Sequence, residues 1–175
     1  MTDLTDKTIL MVVAQHNFRD EELFIPKEFF EKKGINVVVA SKDSGVATGM
    51  LGGSVNIDVS VSDADTSKYD AVVFVGGPSI DSQMLYKDPG YLKLAKDASD
   101  AGDLVCAICL GSMIPANAGL LSGKNATVFI SGRSYIEEKG ATYTGAPVTR
   151  DGKIITGEGP DAAEEFAKTI VKALE

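Results

Sequence analysis

The residues of this chain whose types and spacing suggest chemistry begin with its two thiols. Both lie in one stretch, Val105-Cys106-Ala107-Ile108-Cys109-Leu110-Gly111-Ser112, at the spacing of a redox pair or a metal clip. In redox pairs of this spacing the first thiol opens a helix and the second lies one turn along it. Here Cys106 falls inside an apolar run of strand length. Strand side chains alternate between faces, so residues three apart point opposite ways and are poorly placed for a disulfide. A closed metal site asks for about four Cys or His ligands, and the chain has two Cys and one His. No metal site is expected. Cys109 differs from Cys106 because it stands where the strand ends and a helix begins, with Gly111 two residues on to permit a tight turn. This arrangement resembles a nucleophile elbow with cysteine in place of serine. A following helix would turn its free N–H groups toward the sulfur and favour the thiolate. The other reading is a small buried apolar residue, the fate of most free cysteines. On this stretch alone both readings stand.

A carboxyl group and a pair of glycines belong to the same question. Asp20-Glu21-Glu22-Leu23-Phe24-Ile25-Pro26 opens the first helix, just beyond the carboxyl end of the first strand, on the edge where Cys109 would sit. Acidic residues at a helix start commonly complement its dipole in solvent, but one could also reach the thiol. Gly76-Gly77 ends a later core strand on the same edge and could offer backbone N–H groups to an oxyanion. Glycines there also serve simply as turn formers.

The elements that must position these groups follow from hydrophobic period. Strands are expected at residues 7–14, 35–40, 71–75, 104–108 and 126–130, and helices at 20–33, 91–101, 110–118, 132–139 and 160–174. Residues 51–61 read as a small hairpin or edge excursion. Asp151-Gly152 joins two short strands at 148–150 and 153–156 by a tight turn. Strands of continuous apolar character alternating with helices predict a mostly parallel α/β sheet covered on both faces. Ligands of such sheets bind at the carboxyl ends of the strands.

The bulk numbers narrow the function class. A chain of 175 residues, 44% of them hydrophobic, can bury a full core, and one domain over 1–175 is expected. A formal charge of -8, with the basic residues scattered rather than gathered in runs, argues against nucleic acid as a partner. The N-terminal segment reads as neither a signal peptide nor a membrane span, which places the protein in the cytoplasm with its cysteines reduced.

Five segments, taken in order, resemble the DJ-one/PfpI superfamily, the cysteine-dependent branch of the class I glutamine amidotransferase-like fold. They are DEELFIP around Glu22, FVGGP at Gly76-Gly77, AICLG around Cys109, NAGLLSGKNATVF, and the final ITGEGPDAAEEFAKTIVKAL. The resemblance implies a flavodoxin-like three-layer sandwich, a homodimer or higher oligomer, and no cofactor. It implies that Cys109 is the elbow cysteine, that Glu22 hydrogen-bonds it, and that the amides of Gly77 and Leu110 line an oxyanion pocket. It gives Cys106 no role.

Two departures bear on activity. Family members with proposed peptidase or amidase activity carry histidine directly after the elbow cysteine, where this chain has Leu110. Another branch uses a histidine in the strand after the elbow helix, where this chain reads Ala126-Thr127-Val128-Phe129-Ile130. The sole histidine, His16, lies in the loop after the first strand and is a possible pocket residue. Arg133, near Tyr135, is a second, able to bind a substrate carboxylate. Glu158 would add a carboxylate near the site and disfavour anions. The enzyme reading implied by the resemblance is glyoxalase III or deglycase chemistry on a small carbonyl compound or a carbonyl-modified protein. The non-enzyme reading is an oxidative-stress sensor or redox-regulated chaperone built on the same thiol. An intracellular cysteine peptidase is the weaker enzymatic reading.

Overall fold

The computed structural model describes residues 2–175. Its central sheet is built from the apolar runs. Thr8–Val12 (β1) pairs in parallel with Asn36–Ser41 (β3) on one side and Ala71–Phe74 (β7) on the other. Between β1 and β3 come the short strand His16–Phe18 (β2) and the helix Asp20–Lys32 (α1). Gly45–Gly49 (β4) and Ser54–Ile57 (β5) form an antiparallel hairpin, and Val59–Ser60 (β6) rejoins the main sheet beside β3. After β7 follow the short helix Ser79–Ser82 (α2), the helix Pro89–Asp100 (α3) and the strand Leu104–Ile108 (β8).

The second half supplies Met113–Asn117 (α4), Asn125–Ala126 (β9), Arg133–Glu138 (α5), Thr142–Tyr143 (β10), Val148–Asp151 (β11), Ile154–Gly157 (β12) and Ala163–Leu174 (α6). The seven-stranded order is β11-β12-β8-β7-β1-β3-β6, parallel throughout except for β11 against β12. Every residue of β7 and β8 is buried, as a sheet covered on both faces requires.

The topology fixes where a ligand can sit. The connection from β1 through α1 moves toward β3, whereas the connection from β7 through α3 moves the other way, to β8. Parallel crossovers are right-handed, so α1 and α3 cover opposite faces of the sheet. α6 packs with α1, and α4 packs with α3. The chain therefore reverses direction between β1 and β7, and the crevice beyond their carboxyl ends is the place where such sheets bind ligands.

Two expected elements change shape. The strand expected at 126–130 shortens to β9, which pairs only with β10. Beyond it the Thr127 amide donates to the Thr156 hydroxyl at 2.9 Å rather than to a neighbouring strand. The sheet position beside β8 is already taken by β12, so the run packs over the sheet instead of entering it. The helix expected at 110–118 begins as a 3₁₀ turn over Cys109–Ser112 before α4.

The hairpin expected within 51–61 starts earlier, at Gly45, and with β2 makes a separate three-stranded sheet. Its tip is tied to α1 by Asp20, whose carboxylate accepts from the amides of Leu51 and Gly53, both at 2.8 Å. Asp20→Ala would strip both amides of a charged acceptor. It is expected to cost about 2 kcal/mol, read as a lower midpoint in urea, and to speed hydrogen exchange at Leu51 and Gly53 ahead of the rest of the chain. Unchanged exchange at those amides would show that the hairpin holds without Asp20.

Candidate functional site

Three consecutive acidic residues open α1, and each does something different. Asp20 holds the hairpin. Glu21 pairs with Arg19, its Oε2 lying 2.8 Å from the guanidinium Nη2. Glu22 turns inward and is fully buried. The Gly76 amide donates to Glu22 Oε1 at 3.0 Å, while Oε2 has no hydrogen-bond partner. Pro26, four residues along, has no N–H to offer the Glu22 carbonyl.

Cys109 follows β8 directly with a φ of 59°, a left-handed conformation that costs a non-glycine residue about 1–3 kcal/mol. The surrounding glycines show why the chain can hold it there. A Cβ on Gly111 would sit 2.5 Å from the Phe74 carbonyl oxygen, so the turn after the cysteine closes against the end of β7 only with glycine. A Cβ on Gly76 would meet the Cys109 Cβ at 2.5 Å and Glu22 Oε1 at 2.6 Å. The missing side chain at Gly76 is the space through which carboxyl and thiol approach one another.

Electrostatics follow from that closeness. Burial pushes the Glu22 carboxyl up to about 8, against the smaller opposing effects of Cys109, the Gly76 amide and Arg19. Burial also pushes the Cys109 thiol up, the charge of Glu22 adds to the rise, and the amides of Leu110 and Gly77 oppose it. The expected thiolate is therefore not the resting form set by a helix end. Below about pH 8 the Glu22 carboxyl is protonated and its charge no longer opposes the thiolate. Cys106 is fully buried in β8 and pushed up by burial alone. The two cysteines are free of each other. No group of three or more His, Cys, Asp or Glu side chains among the described residues is placed to hold a metal ion.

A cavity of about 460 Å³ opens over Cys109, lined also by Arg19, Met50, Gly77, Leu110, Phe129 and Ser131. Four of the expected site residues thus meet: Cys109, Gly77 and Leu110 at the cavity and Glu22 behind the sulfur. The two expected pocket residues do not join them. His16 is exposed on β2, with Nδ1 3.2 Å from the Thr48 hydroxyl. A register shift between His16 and Phe18, with Asn17 at a φ of 63°, turns Phe18 into the core and leaves His16 outside. Arg133 pairs with Glu137 at 3.3 Å and lies over the Tyr143 ring at 4.7 Å from its centre, which draws it away from the cavity. Glu158 lies in a neighbouring groove with Asp161 and Ala162. Among the cavity residues that spacing did not reveal are Arg19, Met50, Asp81 and Phe129. Arg19 could have been suspected from its place three residues before Glu22, whereas Met50 enters through the hairpin, its amide donating to the Phe18 carbonyl at 2.9 Å.

The family model described as the DJ-1/PfpI family matches residues 7–173. The chain belongs to this family. An uncharacterized protein of Methanocaldococcus jannaschii is 37% identical over 99% of this chain and 85% of its own length. A protein of Thermococcus kodakarensis named as a deglycase is 28% identical over 94% of this chain and 98% of its own. A ThiJ/PfpI domain protein of Brachyspira murdochii, solved as a crystal structure, superposes with a TM-score of 0.92 at 38% identity, covering 95% of each chain. The flavodoxin-like fold of the family is the fold of this chain.

Because Glu22 is raised when folded, its proton sets a pH dependence of stability. The unfolded carboxyl ionises near its ordinary value of about 4.3 while the folded one keeps its proton to about 8. Between those values the folded state binds more protons, so stability is full below the lower value and falls as pH rises toward the upper one. Glu22→Gln removes this slope. The variant is expected to gain stability over the parent by a few kcal/mol, to order of magnitude, at pH 8 and to lose that advantage near pH 5. Parallel melting curves across that range would mean Glu22 ionises normally.

Proposed function

We propose that this chain is a cofactor-independent enzyme that acts on small reactive carbonyls through Cys109 and Glu22, in the manner of glyoxalase III or a deglycase. The observation that carries this reading is the pairing of a left-handed Cys109 at the floor of a cavity with a buried, partly unpartnered Glu22 behind it. Strain of this kind persists where the surrounding structure over-determines it, which happens preferentially at reactive sites. A core residue would gain nothing from it.

With methylglyoxal the steps balance without an external oxidant. The Cys109 proton passes to the Glu22 carboxylate as Sγ bonds to the aldehyde carbon, whose carbonyl pair becomes an alkoxide near the amides of Leu110 and Gly77. Glu22 hands that proton to the alkoxide, giving the hemithioacetal, and as a carboxylate again moves a proton from that carbon to its neighbour through an enediol, which yields the thioester of lactate. Water hydrolyses the thioester, returns the thiol and releases lactate. No histidine is required. Peptide hydrolysis is less well served, because an amine leaving group needs a general acid and Leu110 stands where a histidine would.

The test is lactate formation by the fully reduced protein. Cys109→Ser is expected to fall to background and Glu22→Gln to fall about 100-fold, with Cys106→Ser within about twofold of the parent. Because Glu22 acts as a base, kcat/KM is expected to rise with pH through a value near 8, and that limb is expected to vanish in Glu22→Gln. No turnover by the reduced parent protein would overturn the enzyme reading in favour of oxidation sensing at the same thiol. The reaction needs that thiol reduced, in keeping with a cytoplasmic location. Self-association is part of the same proposal. The hairpin carries exposed Val46, Met50 and Leu51, and a solution mass of 18.4 kDa, that of one chain, would count against a homodimer.

A further inference from the structure

Arg19 is the one basic residue lining the Cys109 cavity among the described residues. Its backbone is fixed on both sides: the N–H donates to the Gly76 carbonyl at 2.9 Å, and the carbonyl accepts from the Glu22 amide at 3.1 Å. The guanidinium is fixed as well. Nε donates to the two carboxylate oxygens of Glu21 at 3.0 and 3.2 Å, and Nη2 donates to Oε2 at 2.8 Å. These bonds occupy the side-on edge of the fork. A guanidinium has a second, end-on edge formed by Nη1 and Nη2, suited to a planar carboxylate. Nη1 makes no hydrogen bond to the protein among the described residues.

We propose that the end-on edge of Arg19 is an anion subsite for carbonyl compounds that add to Cys109 and carry a carboxylate beside the reactive carbon, as glyoxylate does. Such a compound forms the hemithioacetal and, having no neighbouring ketone to take up the proton, goes no further and occupies the site reversibly. The proposal rests on the reading of Cys109 as the reacting group. Glu21 serves as a positioning residue that keeps the fork from swinging out into solvent. The cavity has room for both ends of such a molecule, since about 460 Å³ lies within the range of pockets that enclose far larger ligands. The wider field does not help an anion: Asp81 also lines the cavity, and the chain carries a formal charge of -8. Selection has to come from direct two-point contact, which makes it depend on Arg19 alone. Glu158, the carboxylate expected to disfavour anions, lies in the neighbouring groove.

The subsite can be read without assuming any turnover. Iodoacetate and iodoacetamide alkylate a thiolate by the same displacement, in which a sulfur–carbon bond forms and iodide leaves with its electron pair, but only the first carries a carboxylate. Rates of Cys109 labelling with each reagent would be compared in the parent, Arg19→Gln and Arg19→Lys, with Cys109→Ser as the control for Cys106. A change in the acidity of the thiol alters both rates together and cancels in their ratio. The ratio of iodoacetate to iodoacetamide is expected to fall about tenfold in Arg19→Gln, the effect of losing one charge-assisted contact, and to be partly kept in Arg19→Lys. Glyoxylate is expected to slow iodoacetamide labelling in the parent and not in Arg19→Gln. A ratio unchanged to within about twofold would overturn the subsite while leaving Cys109 reactive. Labelling by neither reagent in the folded protein, with full labelling once unfolded, would overturn the reading of Cys109 on which the subsite rests.

Discussion

The arrangement of this molecule turns on one buried carboxyl group. Glu22 sits where α1, the end of β7 and the end of β8 converge, with a single amide at 3.0 Å to satisfy it and a thiol on its other side. An ionised carboxylate in that place is costly, because a group taken out of water must find compensating hydrogen bonds or give up its charge. Only one partner is provided, so the group holds its proton past neutrality. Gly76, which admits it, and Gly111, which closes β8 against β7, follow from the same crowding. The left-handed backbone of Cys109 is the geometric counterpart of that carboxyl: the chain turns sharply there because thiol and acid must face one another.

The topology explains why the convergence falls where it does. Reversal of chain direction between β1 and β7 opens a crevice at their carboxyl ends, and the three loops that enter it come from the three central strands. The loop after β1 contributes a side-chain acid, the loop after β7 the amides of Gly76 and Gly77, and the loop after β8 a thiol and the amide of Leu110. Groups carried at the ends of three neighbouring strands keep their relative positions through the sheet itself. The hairpin of β4 and β5 is the exception. It reaches the cavity through Met50 and is held by Asp20, two residues before Glu22, so one helix start positions both the acid and a wall of the cavity.

Much of this was legible in the residues and some of it was not, for physical reasons that can be named. Continuous apolar runs identified β1, β7 and β8, and the change from strand to helix period located Cys109 at a turn. The resemblance to a family then singled out Glu22 from three adjacent acids, which period alone could not do. Residues 126–130 misled because a β-branched run signals burial as well as pairing. Burial without a place in the main sheet is what the structure gives Ala126, Thr127 and Val128, since β12 had already taken the place beside β8, while Phe129 and Ile130 are exposed. His16 and Arg133 were nominated for their chemistry, yet a register shift at Asn17 exposes one and the ring of Tyr143 captures the other. Neither competition is visible in a linear pattern. Arg19 went unmarked because an arginine beside an acidic run reads as a surface pair.

The state of the thiol is the point on which sequence and structure part most usefully. A cysteine at a helix start suggests a sulfur stabilised by the helix end. Here the turn that begins at Cys109 is a 3₁₀ turn followed by only five residues of α4, and burial together with the charge of Glu22 outweighs the amides of Leu110 and Gly77. The proton on Glu22 is therefore the control. While the acid is neutral it places no charge against the sulfur, and its O–H can donate to a forming thiolate. Once it ionises it opposes the thiolate but can accept the thiol proton. Acid and thiol form a coupled pair, each shifting the other's proton affinity, so the acidity of Cys109 belongs to both groups. The same coupling fits attack on an electrophilic carbon better than permanent exposure of a thiolate, because the proton has somewhere to go at the moment the sulfur bonds.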